Sequence, residues 1–90
     1  MGNSIKDLKK EVNYIFGEVI DEVNYKQLIK PEVDNDSVEA IIDEAVTFYE
    51  EFVDKINKGR KAENKKQYFK EITNEIEKVV DELVEKINNL

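Results

Sequence analysis

The chain of 90 residues is 40% hydrophobic and 39% charged, with a formal net charge of −7. This share of hydrophobic residues is enough to build one helical core and too high for a disordered chain of this charge. The chain contains no cysteine and no histidine, which excludes a disulfide scaffold, a Cys–His or Ser–His catalytic pair, and a transition-metal site built from nitrogen or sulfur ligands.

The first predicted helix covers about residues 5–25. Apolar residues recur along it at the spacing of one helical face, and Ser4 is its predicted N-cap. Tyr14 lies on the opposite, polar face, and Gly17 follows one turn later, where glycine costs ~1 kcal/mol relative to alanine. A glycine beside an exposed aromatic would let a partner helix approach closely, so Tyr14 and Gly17 are candidate interface residues. The alternative is an exposed tyrosine and a tolerated glycine.

Residues 26–35 are predicted to form a long connection. Pro31 disfavours the helical conformation of Lys30, the residue before it, so a continuous helix is blocked. Leu28, Ile29 and Val33 are apolar, which predicts that this connection folds over one end of the core.

The second predicted helix covers about residues 37–58, with Asp36 or Ser37 as N-cap and Gly59 as the C′ residue. Its apolar stripe spans roughly 160°, which suits a helix that touches two neighbours. Phe48 and Val46 lie at opposite edges of this stripe. Where neighbouring helices leave an edge uncovered, it becomes a dimer contact, so Phe48 is the third candidate interface residue.

The third predicted helix covers about residues 63–88, with Asn64 as N-cap and Gln67 as its partner. Short links favour antiparallel neighbours. The sequence therefore predicts an all-α, up-down-up three-helix bundle that forms one domain over residues 1–90. The residues expected in its core are Val12, Phe16, Val19, Ile42, Tyr49, Phe52, Ile72, Ile76, Val80 and Leu83.

Charge is distributed unevenly along the chain. Residues 55–70 contain seven lysines and arginines and one acid, a local charge of +6, which leaves −13 on the remainder of the −7 chain. In an up-down-up bundle this segment shares one end with the start of the first helix, and acids gather at the other end. We interpret the basic end either as a solvated surface or as a site for an acidic partner. The candidate partner-binding residues are Lys58, Arg60, Lys61, Lys65, Lys66 and Tyr68.

No catalytic, cofactor-binding or metal-binding residue is predicted. Asp34 and Asp36 partly resemble a calcium loop, but the required glycine and the terminal glutamate are missing from their positions, so we interpret the segment as a solvated acidic loop. We therefore expect a protein that is not an enzyme and that uses no cofactor or metal. A carboxylate-based metal protein is the third alternative.

The leading functional hypothesis is a module that binds another protein or forms a homodimer, with the charge asymmetry favouring an antiparallel pair. The alternative is a small regulator that binds nucleic acid or another polyanion through its basic end. The net charge of −7 argues against general nucleic-acid binding. No apolar run approaches the ~20 residues of a membrane span, and we expect a cytoplasmic protein.

Overall fold

The computed structural model describes residues 5–90. Within this range the chain forms three α-helices, α1 (Ile5–Ile29), α2 (Asn35–Lys58) and α3 (Lys65–Asn88), and a short 3-10 helix at Gly59–Lys61. Each α-helix contacts the other two, which confirms the prediction of an all-α three-helix bundle. The predicted N-cap Ser4 lies outside the described residues.

Two side-chain hydrogen bonds show which helix ends lie together. Gln27 Nε2 donates a hydrogen bond to Asn35 Oδ1 at 2.9 Å, and Lys30 Nζ donates to the carbonyl oxygen of Leu90 at 2.9 Å. The end of α1, the start of α2 and the end of α3 therefore share one end of a bundle that measures 49 × 18 × 16 Å. We call this the acidic end and the opposite one the basic end.

The first helix is one turn longer than predicted, because it continues to Ile29 instead of ending near Tyr25. Proline disfavours the helical conformation of the residue before it, which is Lys30, so the helix runs up to Ile29 and breaks at Lys30. The predicted covering of the core by Leu28 and Ile29 is wrong, since their side chains are 76% and 58% exposed. Val33 is buried, as expected.

The N-terminal boundary of α2 also differs from the prediction. The helix begins at Asn35, with Asp34 rather than Asp36 or Ser37 in the N-cap position. The Asp34 carboxylate makes no capping bond to the backbone and accepts a hydrogen bond at 3.1 Å from the Ser37 hydroxyl. The start of α3 agrees with the prediction, because the Asn64 side chain accepts a hydrogen bond from the backbone N–H of Gln67 at 3.1 Å.

The core is entirely apolar among the described residues. At its centre Phe16 stacks on Phe52, with ring centroids 6.0 Å apart, and meets the ring of Tyr49 at an edge. Seven of the ten predicted core residues are buried: Val12, Phe16, Val19, Phe52, Ile72, Ile76 and Leu83. The other three are only half-buried: Ile42, Tyr49 and Val80.

Candidate functional site

Four candidate residues form a cluster of positive charge at the basic end. Arg60 and Lys61 lie on the 3-10 helix, and Lys65 and Lys66 are the first two residues of α3. All four side chains are exposed, and no ion pair to them is found among residues 5–90. We call these four residues the basic cluster.

The helix dipole makes part of this cluster unfavourable within the monomer. The first turn of α3 contains no acid, so Lys65 and Lys66 stand at the partially positive end of the helix. Arg60 and Lys61 follow the end of α2, where positive charge is favoured, but they add to the repulsion on Lys65 and Lys66. A negative partner would relieve this repulsion.

Two of the lysines near the cluster are already paired. Lys58 lies 2.9 Å from the carboxylate of Asp54, one turn earlier in α2, and this contact raises the pKa of Lys58. Lys55 lies 2.9 Å from Glu75 and joins α2 to α3. Lys58 therefore differs from the basic cluster in having an acidic partner within the chain.

The chain beneath the basic cluster is held by aromatic packing. The Tyr68 hydroxyl donates a hydrogen bond to the Lys55 carbonyl oxygen at 2.9 Å, and the Tyr68 and Phe69 rings meet edge to face at 5.6 Å. These contacts make Tyr68 part of the scaffold on which the charged side chains stand.

Gly59 is the second element of this scaffold. It follows directly on α2, one position before the predicted C′ site, as the C-cap residue, and its φ of −62° is not the left-handed conformation that glycine often takes at a helix end. A Cβ atom here would lie 2.6 Å from Cζ of Phe69 and 2.9 Å from Cε2 of Tyr68. The missing side chain therefore lets both rings pack against the turn between α2 and α3.

The predicted interface residues are placed on different sides of the bundle. Tyr14 is 65% exposed, and its hydroxyl donates a 3.1 Å hydrogen bond to Glu18, which raises the pKa of Tyr14. Gly17 is exposed and lies in a shallow groove between α1 and α2. Phe48 is half-buried and stacks on Phe52 at 6.4 Å.

Two further observations come from the structure. The last turns of α1 expose Tyr25, Leu28 and Ile29, a patch that the helical period would have indicated if the helix had been extended to Ile29. Sequence periodicity does not show which residues of α1 lie beside which residues of α2, and the structure brings both together in the α1–α2 groove. The residues that line this groove are Asn13, Phe16, Gly17, Ile20, Ala45, Val46 and Tyr49.

Across residues 5–90, no three acidic side chains converge in a way that could hold a metal ion. None of the helices in this range has the length and apolar character needed to cross a membrane. No protein-family model, curated protein or solved structure matches the chain.

Proposed function

We propose that this protein is a non-enzymatic interaction module that binds an acidic protein surface through the basic cluster. The observation that carries the proposal is the lack of compensation at Arg60, Lys61, Lys65 and Lys66. Each is exposed, and none has an ion-pair partner in the described chain. Nearby lysines such as Lys55 and Lys58 do have such partners.

The packing of the underlying turn supports binding at this place. Tyr68, Phe69 and Gly59 hold the 3-10 helix against the start of α3. A charged surface held by a packed scaffold loses less conformational entropy on binding than one on a flexible loop. The cysteine-free chain needs no oxidising compartment, so the setting that we propose is the cytoplasm.

The charge balance favours a protein partner over nucleic acid. Residues 55–70 have a charge of +6, whereas the remainder of the chain has −13. Salt screens charges beyond about 8 Å at physiological ionic strength. A short acidic segment would therefore meet only the basic end, but a long nucleic acid would extend along the acidic remainder of a 49 Å bundle.

The test is a double charge reversal, Arg60→Glu with Lys61→Glu, measured by fluorescence anisotropy with a labelled oligoglutamate peptide. We expect the wild-type protein to bind the peptide and the variant to lose at least about tenfold in affinity. Because both residues are exposed, the melting temperature should change little. The matched control is Lys26→Glu with Lys78→Glu, which changes the net charge equally but lies away from the basic cluster and should keep most of the affinity.

Equal losses in the two double variants would show that net charge alone governs binding and would refute the assignment. Absence of wild-type binding to the acidic peptide would do the same. Stronger binding of a single-stranded oligonucleotide than of the peptide, with a steep loss of affinity as salt rises, would replace the protein partner with a nucleic acid.

A further inference from the structure

The third helix covers only one side of the pair formed by α1 and α2. On α2, Glu44 and Lys55 face α3, because they form ion pairs with Lys86 at 2.8 Å and with Glu75 at 2.9 Å. On α1, Ile15 faces α3, since it shares a shallow groove with residues of that helix, among them Ile76 and Val80.

The opposite side of α2 carries a second apolar seam. Ile42, Val46, Tyr49 and Val53 follow one another at intervals of four, three and four residues, the spacing of a helix–helix contact line. Val46 and Val53 lie about half a turn from Glu44 and Lys55 in the helical period. None of the four seam residues is fully buried, and Val46 is 41% exposed.

A seam of mostly polar residues with one glycine runs along the same side of α1. Lys6, Lys10, Asn13, Gly17 and Ile20 repeat at intervals of four, three, four and three residues. Asn13, Gly17 and Ile20 line the α1–α2 groove. A Cβ atom on Gly17 would have no atom within 4 Å, so the middle of this face is open to the close approach of another helix.

The two ends of this face carry charges of opposite sign. The α1 seam begins with Lys6 and Lys10 at the basic end, and the α2 seam begins near Glu39 at the acidic end. All three side chains are exposed. A parallel second copy would place basic ends together, whereas an antiparallel copy centred on Gly17 would bring Lys10 to the level of Glu39 of the second copy.

The size of the face also suits a second copy. One long side of the bundle measures 49 × 18 Å, which projects to roughly 900 Å², and a stable interface needs about 800 Å² per partner. We propose that the chain forms an antiparallel homodimer in which the α1–α2 face of one copy packs on that of another, with Gly17 at the closest approach. The basic cluster lies on the turn before α3 and at its start, so this face is distinct from the site of the proposed function.

The first experiment measures mass by sedimentation equilibrium across micromolar to submillimolar concentrations. We expect the wild-type protein to approach twice the 10.5 kDa of one chain. Gly17→Gln should remain a monomer, because a long side chain would block the approach. It should nevertheless fold, since the site is open in the monomer and glutamine forms helices better than glycine.

Ala40→Gln is the matched control, because it makes a similar small-to-glutamine change at an exposed position of α2 away from the seam. This variant should dimerise like the wild type. A wild-type mass of 10.5 kDa at all concentrations, or a Gly17→Gln variant that dimerises as well as Ala40→Gln, would overturn the proposal.

The second experiment tests the direction of the pair by charge exchange. Lys10→Glu should weaken dimerisation at least about tenfold, and adding Glu39→Lys should restore it. Circular dichroism would verify that each variant is folded. If the double variant dimerises no better than Lys10→Glu alone, the antiparallel contact is refuted.

Discussion

Two glycines show how differently the same residue is used along this chain. Gly17 lies inside α1 with open space where a Cβ would be, whereas Gly59 is buried beneath Phe69 and Tyr68. Both adopt backbone conformations that any residue can take, since no described residue has a positive φ. Their environments, rather than their torsion angles, therefore decide what a substitution does.

We expect Gly17→Ala and Gly59→Ala to change stability in opposite directions. Gly17→Ala should raise the free energy of unfolding by ~1 kcal/mol, because alanine favours the helix and meets no neighbour. Gly59→Ala should lower it by roughly 1–3 kcal/mol, because its Cβ would force two aromatic rings to move. Urea unfolding of both variants, at a concentration where the chain is a monomer, checks this, and a shift of the same sign in both would contradict it.

At the scale of the elements, the N-termini of α2 and α3 are capped differently. Asn64 closes the start of α3 with a hydrogen bond to the backbone of Gln67. Asp34 stands at the start of α2 without a capping bond to the backbone, and its carboxylate accepts from Ser37 instead. The start of α3 therefore depends more on its single cap residue than the start of α2 does.

Asn64→Ala should accordingly lower the free energy of unfolding by ~1 kcal/mol, the usual cost of losing an N-cap. Asp34→Ala removes the interaction of a carboxylate with the helix dipole, which is worth about 0.3–1 kcal/mol, together with one exposed hydrogen bond from the Ser37 hydroxyl. Thermal unfolding of the two variants compares these costs directly. A larger loss for Asp34→Ala than for Asn64→Ala would show that the capping contacts are misassigned.

Over the whole molecule, the bundle separates charge along its long axis. The unpaired cations of the basic cluster gather at one end, and the start of α2 and the ends of α1 and α3 bring acids to the other. Like charges that are held close together repel, and a net charge far from zero opposes the compact state. The proposed acidic partner would place negative charge beside the basic end, and the proposed antiparallel dimer would place charge of the opposite sign beside both ends.

This charge arrangement predicts that moderate salt stabilises the folded monomer. Salt shortens the Debye length to about 8 Å at physiological ionic strength, so raising it from a low value should weaken the repulsion and raise the melting temperature. Calorimetry at several salt concentrations checks this, with the protein concentration kept below the range where dimers form. A melting temperature that falls as salt rises would contradict the prediction.

The sequence by itself determined that the chain forms three helices, which face of each is apolar, and where α3 begins. These features depend on local spacing and on a cap three residues from its partner, as with Asn64 and Gln67. Seven of the ten expected core residues are buried, because the apolar stripes mark the face that each helix turns inward. The basic end also followed from chain order once the up-down-up arrangement was inferred.

Only the tertiary structure decided how far each apolar residue is buried and which contacts the candidate residues make. With α3 on one side of α1 and α2, Val46 stays exposed and Ile42 and Tyr49 stay half-buried. The position of α3 also joins Tyr68 to Lys55 and closes Phe69 over Gly59. These outcomes depend on how separate helices pack, and helical periodicity specifies the direction of a side chain on its own helix but not which neighbour it meets.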